Sequence, residues 1–227
     1  MAADHLPDRV TYTGDVTVGG PTDVRTAGCL QITKVATPPF ENNCYLLRCT
    51  DTGDTLLVDA AGDAPRLLSL VGDGRLIGIA ETHGHWDHVQ ALAEVSQASG
   101  APVLVHPRDA DDLPVPADRL LQDGDTVTVG ACTLSVIHLE GHTPGSIALL
   151  YEGDDERPHL FAGDSLFPGG AGKTDGDAAR FGRLMDDLER KVFGPLPDRT
   201  WVYPGHGSDT TLGAERGSLP EWRERGW

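Results

Sequence analysis

Four residues able to hold a metal, His83, His85, Asp87 and His88, fall within six consecutive positions between an apolar run and a helical pattern. Leu76 to Ala80 reads as a buried strand, and Val89, Leu92 and Ala93 open a helix. If the backbone stays extended past Thr82, positions 83, 85 and 87 project from one face, while His88 points elsewhere as the helix begins. One short turn then offers two ligand sets to two neighbouring points, an arrangement suited to a pair of metals. Two simpler accounts compete. Asp87, followed three residues later by Gln90, can cap the helix, and a lone histidine at a strand end is usually a hydrogen-bonding group. Crowded imidazoles without a ligand carry a desolvation cost, however, and that favours the metal.

The rest of the chain alternates strand patterns with turn chemistry. Val10–Val18 suggests an early strand or hairpin arm. Leu30–Val35, Asn43–Leu47 and Thr55–Val58 read as successive strands separated by T-P-P-F and D-T-G-D. Asp59 closes the third, either as a turn residue or as an acceptor that orients a metal-bound histidine. Ala64–Val71 reads as a helix and Pro102–Val105 as a strand, and residues 107–120 read as an irregular Pro/Asp-rich connection. Thr126–Val129, Thr133–Leu139, Ser146–Tyr151 and His159–Ala162 continue the strands. A helix comes next around Ala178–Phe193, and Thr200–Tyr203 is the last strand. Strand-rich halves that each carry helices predict two packed sheets with helices outside. At 227 residues the expectation is one domain over 1–227, with an N-terminal extension to 28 and a short tail from 213.

Three more candidates repeat the central grammar. The strand ending at Leu139 runs into E-G-H-T-P-G-S and presents His142. The strand ending at Ala162 runs into G-D-S and presents Asp164, and the last strand runs into P-G-H-G and presents His206. Each is flanked by glycine, which allows close backbone approach. Each is weak alone; their shared position after a strand makes them convergent.

With these motifs in hand, the chain resembles the metallo-β-lactamase-fold hydrolases. T-H-x-H-x-D-H stands at Thr82–His88, and G-H-T-P-G, G-D-S-L-F and G-H-G come after it in the family's order. G-H-T-P-G-S and G-D-S-L-F-x-G-G-x-G-K resemble the glyoxalase II, or hydroxyacylglutathione hydrolase, branch. The resemblance implies a four-layer αββα sandwich of two mixed β-sheets, with the site at one edge. It also implies that His83, His85 and His142 hold one metal, that Asp87, His88 and His206 hold a second, and that Asp164 bridges both. Lys173, in G-G-A-G-K, matches a basic position that grips the thiol part of the substrate. The longer helical C-terminal segment of that branch has no counterpart here, and Arg216, Arg223 and Arg225 in the tail are the candidates to stand in for its basic residues. Trp86 either walls the substrate pocket or fills core, and Phe40, Glu41 and Asn42 occupy a loop that overhangs the site in this family. His5, His106, His138 and His159 match nothing and read as surface or structural.

The expected activity is metal-dependent hydrolysis by a bridging hydroxide, with a thioester of a low-molecular-weight thiol as substrate. Asp164 positions the hydroxide and Asp87 steers protons. Nitrogen and oxygen ligands without thiolate fit two divalent ions per chain, Zn²⁺ first, with Fe or Mn also compatible. The alternatives are a mononuclear iron persulfide dioxygenase and a lactonase or β-lactamase. A complete ligand set speaks against a metal-binding module without turnover. The net charge of −17 repels phosphate backbones, so the expected partner is a small molecule rather than nucleic acid, and the oligomeric state is left open. With no apolar run of about 18 residues, no membrane span is expected. Cys29, Cys44, Cys49 and Cys132 show no C-x-x-C spacing, which suggests reduced, buried thiols and a cytoplasmic protein.

Overall fold

In a computed structural model that describes residues 12–153 and 157–226, alternate strand residues sort into separate apolar layers, and that parity sets the architecture. The first sheet contains β1 (Asp23–Ala27), β2 (Leu30–Thr37), β3 (Asn42–Cys49), β4 (Asp54–Val58), β5 (Arg75–Ala80), β6 (Val103–Val105) and β7 (Arg119–Leu120), paired in that order. Its first four strands are antiparallel, and β4 to β7 are parallel. Parallel neighbours need crossovers. Helices α1 (Ala64–Val71) and α2 (Leu92–Ser99) supply two of them.

The second sheet contains β8 (Thr126–Val129), β9 (Cys132–His138), β10 (Ile147–Tyr151), β11 (His159–Gly163), β14 (Trp201–Pro204) and β15 (Thr210–Thr211). A small hairpin, β12 (Leu166–Phe167) with β13 (Gly170–Ala171), stands apart. Outside the second sheet lie α3 (Ala178–Asp187), extended by a π turn over Leu188–Phe193, and the C-terminal α4 (Leu212–Glu215) and α5 (Leu219–Arg225).

Three apolar layers hold these parts together. Ile32, Leu47, Leu56, Val136, Leu149 and Phe161 fill the space between the sheets. Val35, Leu46 and Leu57, on the opposite parity, pack against Leu67 of α1 and Val95 of α2. Ala148, Leu160 and Val202 pack against Leu184 and Trp222 of the other helices. The result is the expected αββα sandwich, with each sheet buried on both faces. Burial of one such leucine contributes about 1.5–3 kcal/mol.

Strand direction then places the site. β9 and β11 each run antiparallel to β10, and β14 runs parallel to β11, so all three end at the same edge. The two sheets meet there through Asn43 N–H to the Gly205 carbonyl at 2.7 Å and Ile147 N–H to the Thr82 carbonyl at 2.8 Å.

Several expectations change. Of Val10–Val18, residues 10 and 11 lie outside the described residues and 12–18 form no strand; the first strand is β1. The connection over 107–120 contains a 3₁₀ turn at Ala110–Asp112 and the edge strand β7. The helix after the central motif starts at Leu92 rather than at His88, so Asp87 does not cap it. Cys29 and Cys132 are joined by a disulfide (Cα–Cα 6.1 Å) that ties the β1–β2 turn to the start of β9, and only Cys44 and Cys49 are free buried thiols. Residues 103 positions apart give no pairing signal in sequence, because a disulfide depends on tertiary proximity. Trp222 is buried against Phe193 and packs the tail onto the body; Trp227 and His5 lie outside the described residues. No helix among the described residues is long and apolar enough to cross a membrane.

Candidate metal centre

Two groups of donor atoms converge at this edge. His83, His85 and His142 form one, and Asp87, His88 and His206 form the other, with the donor atoms of each group within 4.8 Å of one another. In the first, His83 Nε2 lies 3.1 Å from His85 Nδ1 and 3.3 Å from His142 Nε2. In the second, His88 Nε2 and His206 Nε2 are 3.3 Å apart, and Asp87 Oδ2 is 3.5 Å from the latter. Asp164 sits between the groups: its Oδ1 is 3.4 Å from His88 Nε2, and its Oδ2 is 3.6 Å from both His142 Nε2 and His206 Nε2.

The grouping departs from the simple alternation expected along the strand. Positions 83 and 85 share a face, but a turn begins at Trp86 and swings Asp87 into the set that contains His88.

Outer hydrogen bonds orient the rings. His142 Nδ1–H donates to the Lys173 carbonyl at 2.8 Å, and His206 Nδ1–H to the Phe40 carbonyl at 3.3 Å. His88 Nδ1–H donates to Asp59 Oδ2 at 2.9 Å. The Thr82 hydroxyl donates to Asp59 Oδ2 and therefore accepts from His83 Nδ1–H at 3.0 Å. A carbonyl or carboxylate can only accept, so these four rings turn their Nε2 lone pairs inward. Asp59, in left-handed backbone at the end of β4, also takes the Thr82 N–H at 2.7 Å.

The residues fit a cation. Asp164 Oδ1 is buried without a hydrogen-bond partner, and a buried carboxylate oxygen left so is costly. Burial, helped by the charge of His88, holds His83 well below the usual imidazole range, and burial lowers His142. Burial opposes the Asp164 carboxylate, but the charge of His88, joined by those of His83 and His142, outweighs it and holds the carboxyl well below its usual range. Burial also opposes the charged form of His88, yet Asp164 and Asp59 together raise it; a bound cation would replace that proton. Imidazole nitrogens and carboxylate oxygens, with no thiolate, form a donor set for Zn²⁺ or another divalent ion.

The cluster opens into a cavity of about 830 Å³ lined by His85, Trp86, Asp87, Phe167, Lys173 and Arg225. Trp86 is 62% exposed and stands edge-on to Phe40, so it walls the opening rather than filling core. Of the three tail arginines only Arg225 reaches the cavity. Arg216 bonds Asp198 and the Leu196 carbonyl, and Arg223 bonds Glu189 and Asp186. His159 is buried against the Tyr203 hydroxyl, and His106 stacks on His138 at 4.1 Å; none of the three belongs to a donor group.

Sequence reasoning missed two supports. Lys34, fully buried, donates to Asp209 at 2.6 Å and to the carbonyls of Gly14 and Gly207, which ties down the residue after His206. A lone lysine in a β-pattern gives no sign of this. Asp109 is the other.

Together, the sandwich and the paired donor groups at its edge define a metal-binding αββα protein. The chain belongs to the metallo-β-lactamase superfamily, whose family model matches residues 37–212. It is 31% identical over 201 residues to the hydroxyacylglutathione hydrolase GloC of Haemophilus influenzae, covering 80% of this chain and 92% of that protein. The solved structure of the BLEG-1 B3 metallo-β-lactamase is similar with a TM-score of 0.75 at 30% identity, covering 84% of this chain and 99% of that one. TTHA1623 in a di-iron-bound form is similar with a TM-score of 0.68 at 33% identity, covering 81% and 96%.

Proposed function

We propose that this chain is a binuclear metallohydrolase that cleaves thioesters of a low-molecular-weight thiol carrying an anionic group. The observation that carries the reading is the convergence of two complete donor groups, with Asp164 between them, on one cavity that also holds two cationic side chains. His83, His85 and His142 would hold one ion, Asp87, His88 and His206 the other, and Asp164 both. Two divalent ions bound there would supply a water of low pKa and Lewis acidity towards an acyl oxygen.

The chain's own groups do the rest. Trp86 and Phe167 flank the opening and offer apolar surface to the acyl part. Lys173 and Arg225, the two cationic side chains in a lining that also holds Asp87, Asp164 and Asp175, would attract a carboxylate on the thiol part. Asp87, whose Oδ2 accepts the Asn42 amide N–H at 3.0 Å, borders the cavity, and its carboxylate would relay a proton to the departing sulfur. The GloC relative, named a hydroxyacylglutathione hydrolase, supports a glutathione-like thiol, and the di-iron neighbour keeps iron beside zinc as the metal.

A thioester panel against metal-loaded protein tests this. Thioesters of acidic thiols should turn over, and His85→Ala or Asp164→Ala should cost about 10³-fold or more in kcat, near 4 kcal/mol of barrier. Lys173→Ala and Arg225→Ala should each raise KM about tenfold, roughly 1.4 kcal/mol, with kcat little changed. Full activity in both ligand variants would place the chemistry elsewhere. Rapid oxygen uptake with a persulfide would replace hydrolysis with oxidation.

A further inference from the structure

The turns that carry His83, His85 and His142 share one buried partner that belongs to neither donor group. Asp109 lies beyond β6 at the start of the 3₁₀ turn Ala110–Asp112 and is fully buried. Its Oδ2 accepts the Gly84 N–H at 3.0 Å and the Thr143 hydroxyl at 2.5 Å, and its Oδ1 accepts the Gly145 N–H at 2.6 Å. Gly84 lies between His83 and His85, and Thr143 comes directly after His142. The carboxylate is itself held in place: the Asp109 N–H donates to the His106 carbonyl at 3.0 Å, and the Asp109 carbonyl accepts from Asp112 N–H at 3.1 Å. The fit leaves no slack, because a Cβ at Gly145 would stand 2.5 Å from Asp109 Oδ1.

We propose that Asp109 is the positioning residue of the first metal subsite. Its carboxylate joins the H-x-H turn of the first sheet to the G-H-T-P-G turn of the second. The three imidazoles therefore keep their mutual placement before an ion arrives. Charge-assisted bonds to three donors make the clamp stiff, and preorganisation removes an ordering cost that binding would otherwise carry. The second subsite is braced differently, through Asn42 to Asp87 and Lys34 to the Gly207 carbonyl, while Asp59 serves both, holding His88 directly and His83 through Thr82. Loss of Asp109 should therefore fall on one ion and spare the other. The inference rests on the metal-centre reading but not on the identity of the substrate.

The experiment is calorimetric titration of the metal-free full chain with Zn²⁺ alone, in parallel with far-UV circular dichroism and thermal melting of the metal-free form. Wild type should bind two ions, and the step lost in His142→Ala identifies the first subsite. Asp109→Asn keeps the volume but sets an amide N–H against backbone donors. It should weaken that step about 10- to 100-fold and leave the other within about threefold. Thr143→Val should weaken the same step by less, and Asp109→Ala by more. If Asp109→Ala does not fold, the two near-isosteric variants decide. Wild-type affinity at both steps in Asp109→Asn and Thr143→Val, whatever their loss of melting temperature, would reduce Asp109 to a structural role and overturn the proposal. Equal weakening at both steps would overturn it as well. A wild type that binds no ion would remove the metal-centre reading and this inference with it.

Discussion

His106 and His138 show how little a histidine says by itself. Their rings stack at 4.1 Å and 9°, and burial, then the charge of His138, lowers His106 to about 4. The unfolded ring titrates near 6.5, so between those values the unfolded chain binds the extra proton. The contribution of His106 to stability is therefore complete above about pH 6.5 and drains as the pH falls towards 4. In chemical denaturation at stepped pH, His106→Phe should show a shallower loss of unfolding free energy across that window. An unchanged slope would mean that the ring titrates normally in the folded chain. At the same scale, the inward lone pairs of His83, His88, His142 and His206 depend on outer acceptors. Of those acceptors only Asp59 stood out in the sequence, because it closes a strand. The carbonyls of Phe40 and Lys173 carry no side-chain signature at all.

At the level of elements, the site is built from the turns at the C-terminal ends of strands. β5, β9, β11 and β14 deliver the ligands, and the glycines beside them let backbones meet. Gly205 is the tightest case on the second subsite: a Cβ there would stand 2.1 Å from Asp164 Oδ1 and 2.7 Å from His88 Cε1. Gly205→Ala should thus lower bound metal, read by elemental analysis after dialysis, although every ligand is retained. Two ions per chain at wild-type affinity would show that the loop can yield. Motif spacing alone made these turns legible. Alternation along the extended chain pairs His83 with His85 but not with Asp87, because the backbone leaves the extended state at Trp86. The tail also needed the fold: α5 sets Arg225 at the cavity mouth, where its guanidinium donates to the Gly169 carbonyl at 3.3 Å, while Arg223, two residues earlier, faces Glu189.

Across the whole molecule, the candidate ligands come from both sheets, so bound metal should act as a cross-link. An ion present at 100 times its dissociation constant adds about 2.7 kcal/mol. For a chain of this size that is a rise in Tm of roughly 5–10 °C per ion. Chelation should lower the melting temperature by that amount for each ion, and readdition should restore it; a melting temperature indifferent to chelator would deny the cross-link. Short apolar runs bounded by turn chemistry predicted two sheets with helices outside, and the family resemblance carried by the Gly-flanked motifs predicted the residues at one edge. Both signals are local: one marks each strand, and the other sits in the turn after it. The Cys29–Cys132 link, the Lys34–Asp209 brace, the Asp109 clamp and the place of Arg225 were decided only by tertiary structure. Each pairs groups far apart along the chain, and nothing in either residue's own neighbourhood names its partner until the sandwich has closed.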